Sequence, residues 1–152
     1  MKVLACHNHY QQPGGEDLSF AAETAMLEAH GHEVVRYTVH NDAIDDMSKL
    51  DVAWRTLWNP KTSRELGAII DREQPDVMHC TNTFPLISPA AYSAARRRGV
   101  PVVQSLRNYR LLCPGAYLMR DGRVCTDCVG RTFAFSGVRH GCYHDSKAGT
   151  AV

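Results

Sequence analysis

Residues 7–17 read His-Asn-His-Tyr-Gln-Gln-Pro-Gly-Gly-Glu-Asp and sit between two contrasting segments. Before them runs the short apolar stretch Val3-Leu4-Ala5-Cys6, which has the character of a first strand. After them comes an amphipathic stretch with helical spacing. A Gly14-Gly15 pair at such a strand-to-helix corner lets a ligand approach the backbone, because neither residue has a Cβ. The helix behind it would aim free N–H groups at that ligand, which suits an anion such as phosphate. A branched side chain at Gly15 would block that approach and disfavour positive φ. The segment has neither the Lys of a P-loop nor the G-x-G-x-x-G spacing of a dinucleotide fold. An ordinary βα turn is the alternative, since Glu16 and Asp17 complement a helix N-terminus without any ligand.

A second constellation is Cys113-x11-Cys125-x2-Cys128-x13-Cys142. Cys125-Thr126-Asp127-Cys128 can offer two thiolates to one metal from a single turn. Cys113 and Cys142 can complete the tetrahedron that Zn²⁺ prefers in closed structural sites. His140 and His144 are alternative ligands, and four unrelated cysteines are the plain alternative. A redox role is the weaker reading, because this C-x-x-C does not open a helix after a first strand. Cys6 and Cys80 fall in expected strands and read as small core residues. Among the eight histidines, His7 and His9 flank the glycine pair and are the better site candidates. His30, His32 and His40 read as solvated, and His79 as either a core residue or a site residue.

The elements that position these groups alternate in type. Strands are expected over 2–7, 33–39, 77–80 and 101–106. Helices are expected over 16–30, from Asn41 or Asp42 to about Leu50, over 61–73, and over 89–98 behind a Ser88 cap. In the first helix Leu18, Ala22, Ala25, Met26 and Ala29 share a face at helical spacing and are expected to be buried. Trp54, Leu57 and Trp58 are expected to cover the edge of the core. Alternating strands and helices imply a doubly wound, mostly parallel, Rossmann-like sheet. Ligands of such sheets gather beyond the C-terminal ends of the strands. There stand His7–Gly15, Thr81–Pro85 and Arg107–Arg110. After Pro114 the pattern changes to a hairpin around Asp121-Gly122 inside the Cys-rich insertion, and Ser146 can cap one further helix. More strands would be expected to follow, so the domain is expected to be truncated.

Size and charge narrow the classes. The 152 residues, 44% of them apolar, suffice for one cored domain but not for two Rossmann-like halves. No apolar run approaches the ~20 residues of a membrane helix. The N-terminus lacks the pattern of a secretory signal, so a cytoplasmic location with reduced or metal-bound cysteines is expected. Residues 1–95 hold 7 basic and 13 acidic side chains, and residues 96–152 hold 10 and 3. The basic end can serve an anionic substrate, peripheral contact with an anionic membrane or nucleic acid, and two solvated faces that attract each other within the fold are the plain alternative. Nucleic acid is not an expected partner, because the chain has no interleaved aromatics and no reading helix.

The phrases Tyr10–Asp17, Val77–Leu86 and Gln104–Pro114, with the late cysteine pattern, together resemble the N-terminal domain of a family-4 retaining glycosyltransferase of the two-domain GT-B type. The resemblance runs from Met1 to the end. It implies the acceptor-side half of an enzyme that moves a sugar from a nucleotide donor to a hydroxyl on a glycan or glycolipid. It places Gly14 and Gly15 near the donor phosphates, and His7, Asn82, Arg107, Asn108 and Arg110 against acceptor or donor. It assigns no protein nucleophile and requires no metal for the transfer. The donor-binding C-terminal half is missing, so inactivity alone is expected. Where the family often has His, this chain has Arg107. An Arg stays protonated and cannot act as a base, which leaves it an anion or sugar-hydroxyl contact. A different class of protein, a zinc-stabilised sugar- or phosphate-binding module without catalysis, fits the same residues.

Overall fold

A computed structural model describes residues 1–151. They form two compact units, Met1–Ser105 and the segment from Leu106 onward.

The first unit is built on four parallel strands, β1 (Lys2–His9), β2 (Glu33–His40), β3 (Val77–Cys80) and β4 (Val102–Gln104), in the order β2-β1-β3-β4. Each strand joins the next through helical chain: α1 (Gly15–Ala29), then α2 (Lys49–Leu57) with α3 (Pro60–Glu73), then α4 (Ala90–Arg96). This is the parallel sheet expected from the alternation. β1 is central and buried along nearly its whole length, as a parallel strand covered on both faces must be. Side chains alternate between the two faces. Leu4 and Cys6 join Tyr37, Met78 and Cys80 in the main core, packed on Leu66 and Ile70 of α3 and Ala91, Ala94 and Ala95 of α4. The alanines let α4 approach closely. His7 points to the other face, where it stacks on Phe20 of α1.

Local signals explain most boundaries. Asn59 caps α3 by accepting from the Lys61 amide at 3.1 Å, and Pro60 starts it, where a missing N–H costs nothing. Gln74 ends it in the left-handed region at φ 49°.

Three expectations need correction. α1 buries Phe20 and Thr24 instead of the alanine stripe, and Leu18 and Met26 are 71% and 53% exposed. The helix carries two candidate faces, and the one with the aromatic ring wins because it meets the His7 ring. Trp54, Leu57 and Trp58 are exposed rather than covering the core edge. The helix expected from residue 41 is only a 3₁₀ turn over Asn41–Ile44, and α2 starts afresh behind Ser48, whose hydroxyl accepts from the Asp51 amide at 3.1 Å.

The second unit has little regular structure. A hairpin of β5 (Met119–Arg120) and β6 (Arg123–Val124) turns at Asp121-Gly122, both at positive φ, as the sequence implies. Two short helices follow, α5 (Phe135–His140) and α6 (Lys147–Ala151). Ser146 caps the latter through the Gly149 amide at 3.0 Å.

Candidate functional site

Strand geometry brings the first cluster together. Residues two apart on β1 share a face, so His7 and His9 both look toward α1. Asp17, in the first turn of α1, reaches back between them. Its Oδ1 lies 2.9 Å from His7 Nε2 and 3.0 Å from His9 Nδ1. The Gly14 amide donates to its Oδ2 at 2.7 Å, and the Tyr10 amide to its Oδ1 at 3.4 Å. Burial would push this carboxyl up. The Gly14 amide, the two imidazoles and the Tyr10 amide outweigh burial and hold it below the usual carboxylate range. It is therefore ionised at neutral pH.

Burial holds His7 below its usual pKa, and the Asp17 carboxylate only partly offsets this. A neutral His7 that donates from Nε2 leaves Nδ1 as a lone pair, and that atom has no hydrogen-bond partner among the described residues. The ring stacks on Phe20 with centroids 4.7 Å apart. His9 is more open, with a side chain 32% exposed, and lies 6.0 Å from the roughly parallel His40 ring.

A second network fixes the loops around this cluster. Asn8 is fully buried. Its Nδ2 donates to Asn41 Oδ1 at 2.7 Å, and its Oδ1 accepts from the Leu86 amide at 2.9 Å. Asn82 Nδ2 donates to the Asn8 carbonyl at 2.7 Å, while the Asn82 Oδ1 accepts from the Phe84 amide at 3.1 Å. From the far side, Asn59 Nδ2 and Thr62 Oγ1 donate to the Leu86 carbonyl, and Ser88 Oγ accepts from the Asn59 amide at 2.9 Å. One asparagine thus ties the ends of β1, β2 and β3 into a single rim.

His7, Gly14, Gly15 and Asn82 accordingly share the C-terminal edge of the sheet. The glycine pair needs a revised account. Gly14 has φ −118°, and Gly15 is not among the glycines at positive φ, so no left-handed backbone demands either one. A Cβ on Gly14 would make ordinary contact with the Tyr10 ring at 3.6 Å, and one on Gly15 would meet nothing within 4 Å. What the pair leaves is open space over the first turn of α1. Asp17 already supplies a carboxylate there.

Arg107, Asn108 and Arg110 belong to the second unit. Arg107 is exposed. Asn108 Oδ1 accepts from the Arg110 amide at 2.9 Å, and the Arg110 guanidinium lies 5.6 Å from the Tyr143 ring centroid. His79 is a satisfied strand residue, 2.9 Å from Ser105 Oγ, and burial lowers its pKa.

The four late cysteines are free thiols, all partly buried. The Cys113 and Ala116 amides donate into tight turns, to Tyr109 and Cys113 carbonyls respectively, each at 2.8 Å. The Arg120–Asp127 pair at 3.0 Å braces the Cys125–Cys128 turn. A Cβ on Gly115 would lie 3.9 Å from Cys113 Sγ and 3.8 Å from Cys142 Cβ, and one on Gly137 would lie 3.5 Å from Cys128 Sγ. Burial raises the Cys142 thiol pKa, and Cys113, Cys128 and Cys125 raise it further, against Arg120. Cys142 is therefore near enough to the other three thiols to sense their charge. Among the described residues, however, the one metal-capable group of three or more with ligand atoms all within 4.8 Å is His7, His9 and Asp17. Sequence reasoning had chosen His7 and noted His9, but Asp17 only as a helix-end charge. The His-x-His spacing on a strand was the available signal.

The sheet, its crossovers and the polar rim define an α/β domain that gathers its candidate site groups at the strand ends. The family model for the glycosyl transferase 4-like domain matches residues 14–140. The chain belongs to that family. No curated protein and no solved structure matches it.

Proposed function

We propose that this chain is the acceptor-binding half of a retaining GT-B glycosyltransferase. The complete enzyme moves a sugar from a nucleotide donor to a hydroxyl of a glycan or glycolipid precursor. The observation that carries this reading is the family match over residues 14–140. It is supported by the meeting of His7, Gly14, Gly15 and Asn82 at the strand ends, where doubly wound folds hold their ligands. In this reading the space over Gly15 receives donor phosphate, and Asn82, Arg107, Asn108 and Arg110 contact donor or acceptor hydroxyls and phosphates. The donor-binding domain is a separate α/β half, so this chain alone turns over no sugar nucleotide. Half of the positioned groups that stabilise the transition state would be missing.

The cysteine lobe, 113–142, is read as a structural zinc site. Bonds of about 2.3 Å would set the sulfurs about 3.8 Å apart in a tetrahedron, so the lobe must draw its thiols inward on binding. Among the described residues no helix is long and apolar enough to cross a membrane. A peripheral site on the cytoplasmic face of an anionic membrane fits a lipid-linked acceptor and the basic second unit. The second reading, a zinc-stabilised binding module without catalysis, takes its support from that lobe alone.

The test is titration of inorganic pyrophosphate into wild type and Gly15→Val, with thermal melts beside it. A valine Cβ at Gly15 meets open space, so melting should hold within a few degrees. Binding should fall about tenfold or more as the branched side chain fills the approach. Equal affinity in both proteins overturns the phosphate assignment. Turnover of uridine or guanosine diphosphate sugars by the purified chain overturns the half-enzyme reading.

A further inference from the structure

A helix cap needs one carboxylate and one or two amides. Asp17 has those in Gly14 and Tyr10. It faces two imidazoles as well, one of them fully buried with an unpartnered ring nitrogen. That nitrogen is Nδ1, which faces away from Asp17, so Nε2 is the atom that His7 presents to the cluster. The arrangement has the features of a ligand set. A His-x-His pair on one strand face and a carboxylate from the following helix bring three ligand atoms within 4.8 Å of one another. Two of the pairwise separations are 2.9 and 3.0 Å. Tetrahedral zinc with bonds of about 2.0 Å needs about 3.3 Å between ligand atoms, so these two contacts need to open by only a few tenths of an ångström, while the two imidazole nitrogens stand within 4.8 Å of each other.

The surroundings also suit an ion. Backbone amides already hold both oxygens of the carboxylate, the outer support that fixes a ligand's direction. Phe20 packs on the innermost imidazole and keeps the inner side apolar. His9 gives access from solvent.

We propose that His7, His9 and Asp17 bind a divalent transition-metal ion of the zinc class, at a site distinct from the cysteine lobe. Two imidazoles and one carboxylate suit zinc, cobalt or nickel better than magnesium or calcium. Three protein ligands leave a fourth position for water. With His7 Nε2 and His9 Nδ1 as the ligand atoms, the imidazole protons must lie on the nitrogens that face away from Asp17. The ion would also cancel the negative charge at the start of α1, beside the space over Gly15. The proposal does not depend on the glycosyltransferase reading, because that transfer needs no metal.

The experiment loads the chelator-stripped chain with Co²⁺ and Zn²⁺ by equilibrium dialysis. Metal is counted, and the zinc form is measured by X-ray absorption. Wild type should hold one ion with nitrogen and oxygen ligands, besides any ion bound by sulfur. His9→Gln can still donate to Asp17 but cannot ligate in the same way, and it should lose that ion while keeping any thiolate-to-cobalt absorption. Loss of the thiolate signal alone would sink the cysteine lobe and leave this site standing. Zinc in wild type with a purely sulfur shell overturns the proposal without recourse to any variant. Retention of a nitrogen- and oxygen-bound ion by a folded His9→Gln also overturns it.

Discussion

The two units of this chain are stabilised by different means. In the first, Leu4, Leu66, Met78 and Ile87 are essentially out of water, and a buried polar rim locks the loops above them. In the second, Leu106, Leu111, Tyr117, Val124, Phe133 and Phe135 are all exposed, and among the described residues Ala116 is the one buried apolar side chain. Tight turns and a two-residue hairpin carry more of its order than apolar burial does. A segment this short rarely buries enough surface to fold on hydrophobicity alone, and metals or disulfides usually make up the difference. The contrast teaches that the two units should fail under different insults.

The zinc proposed for the cysteine lobe gives the sharpest way to separate them. Apparent binding free energies for structural zinc run to about 10 kcal/mol or more, so Cys128→Ser or a strong chelator should abolish ordered structure in the second unit. Amide hydrogen exchange should then show lost protection over residues 106–151 and intact protection in β1 and β3. Equal loss in both units would mean that they do not differ in this way.

The converse substitution is Asn8→Ala. It strands the Leu86 amide and the Asn41 side chain, each buried or half-buried. Unsatisfied buried groups cost about 1–3 kcal/mol each. Denaturant unfolding should therefore show the first unit weakened by about 2–4 kcal/mol, with zinc content unchanged.

Acid should give the smallest effect. Burial lowers the pKa of His79, so the unfolded chain takes up its proton first as pH falls. Stability then rises with pH across the interval just below the ordinary histidine pKa of about 6.5. Between pH 7 and pH 5.5 wild type should lose melting temperature, and His79→Gln should lose less. A steeper fall in the variant would reverse the sign of this account.

Much of this was legible in the sequence because local rules and tertiary packing agreed. Strand β3 falls on the expected residues 77–80, between Pro75-Asp76 and a polar loop. The hairpin at Asp121-Gly122 follows from backbone preference alone. The errors fell where two faces competed. α1 has an alanine stripe and a phenylalanine face, and only the position of His7 decides between them. The Trp54–Trp58 segment looks apolar enough to be core, yet its tertiary neighbours leave it outside. At the site, His7 and the glycine pair were visible as types and spacings. Asp17 and Asn8 were not, since their roles come from partners 10 and 78 residues distant.

Cys6 and Cys80 sit side by side on paired strands, both with no exposed surface. The hydrogen bond with Cys80, then burial, holds the Cys6 thiol well above its usual pKa. Burial puts both sulfurs out of reach of an alkylating reagent while the sheet stands. The other four cysteines are all partly accessible. Modification of the chain should consequently run on two clocks. Four thiols should react at a rate set by their partial burial and local opening, and the last two only when the whole sheet comes apart. The mass of the labelled protein then records, molecule by molecule, which unit has opened.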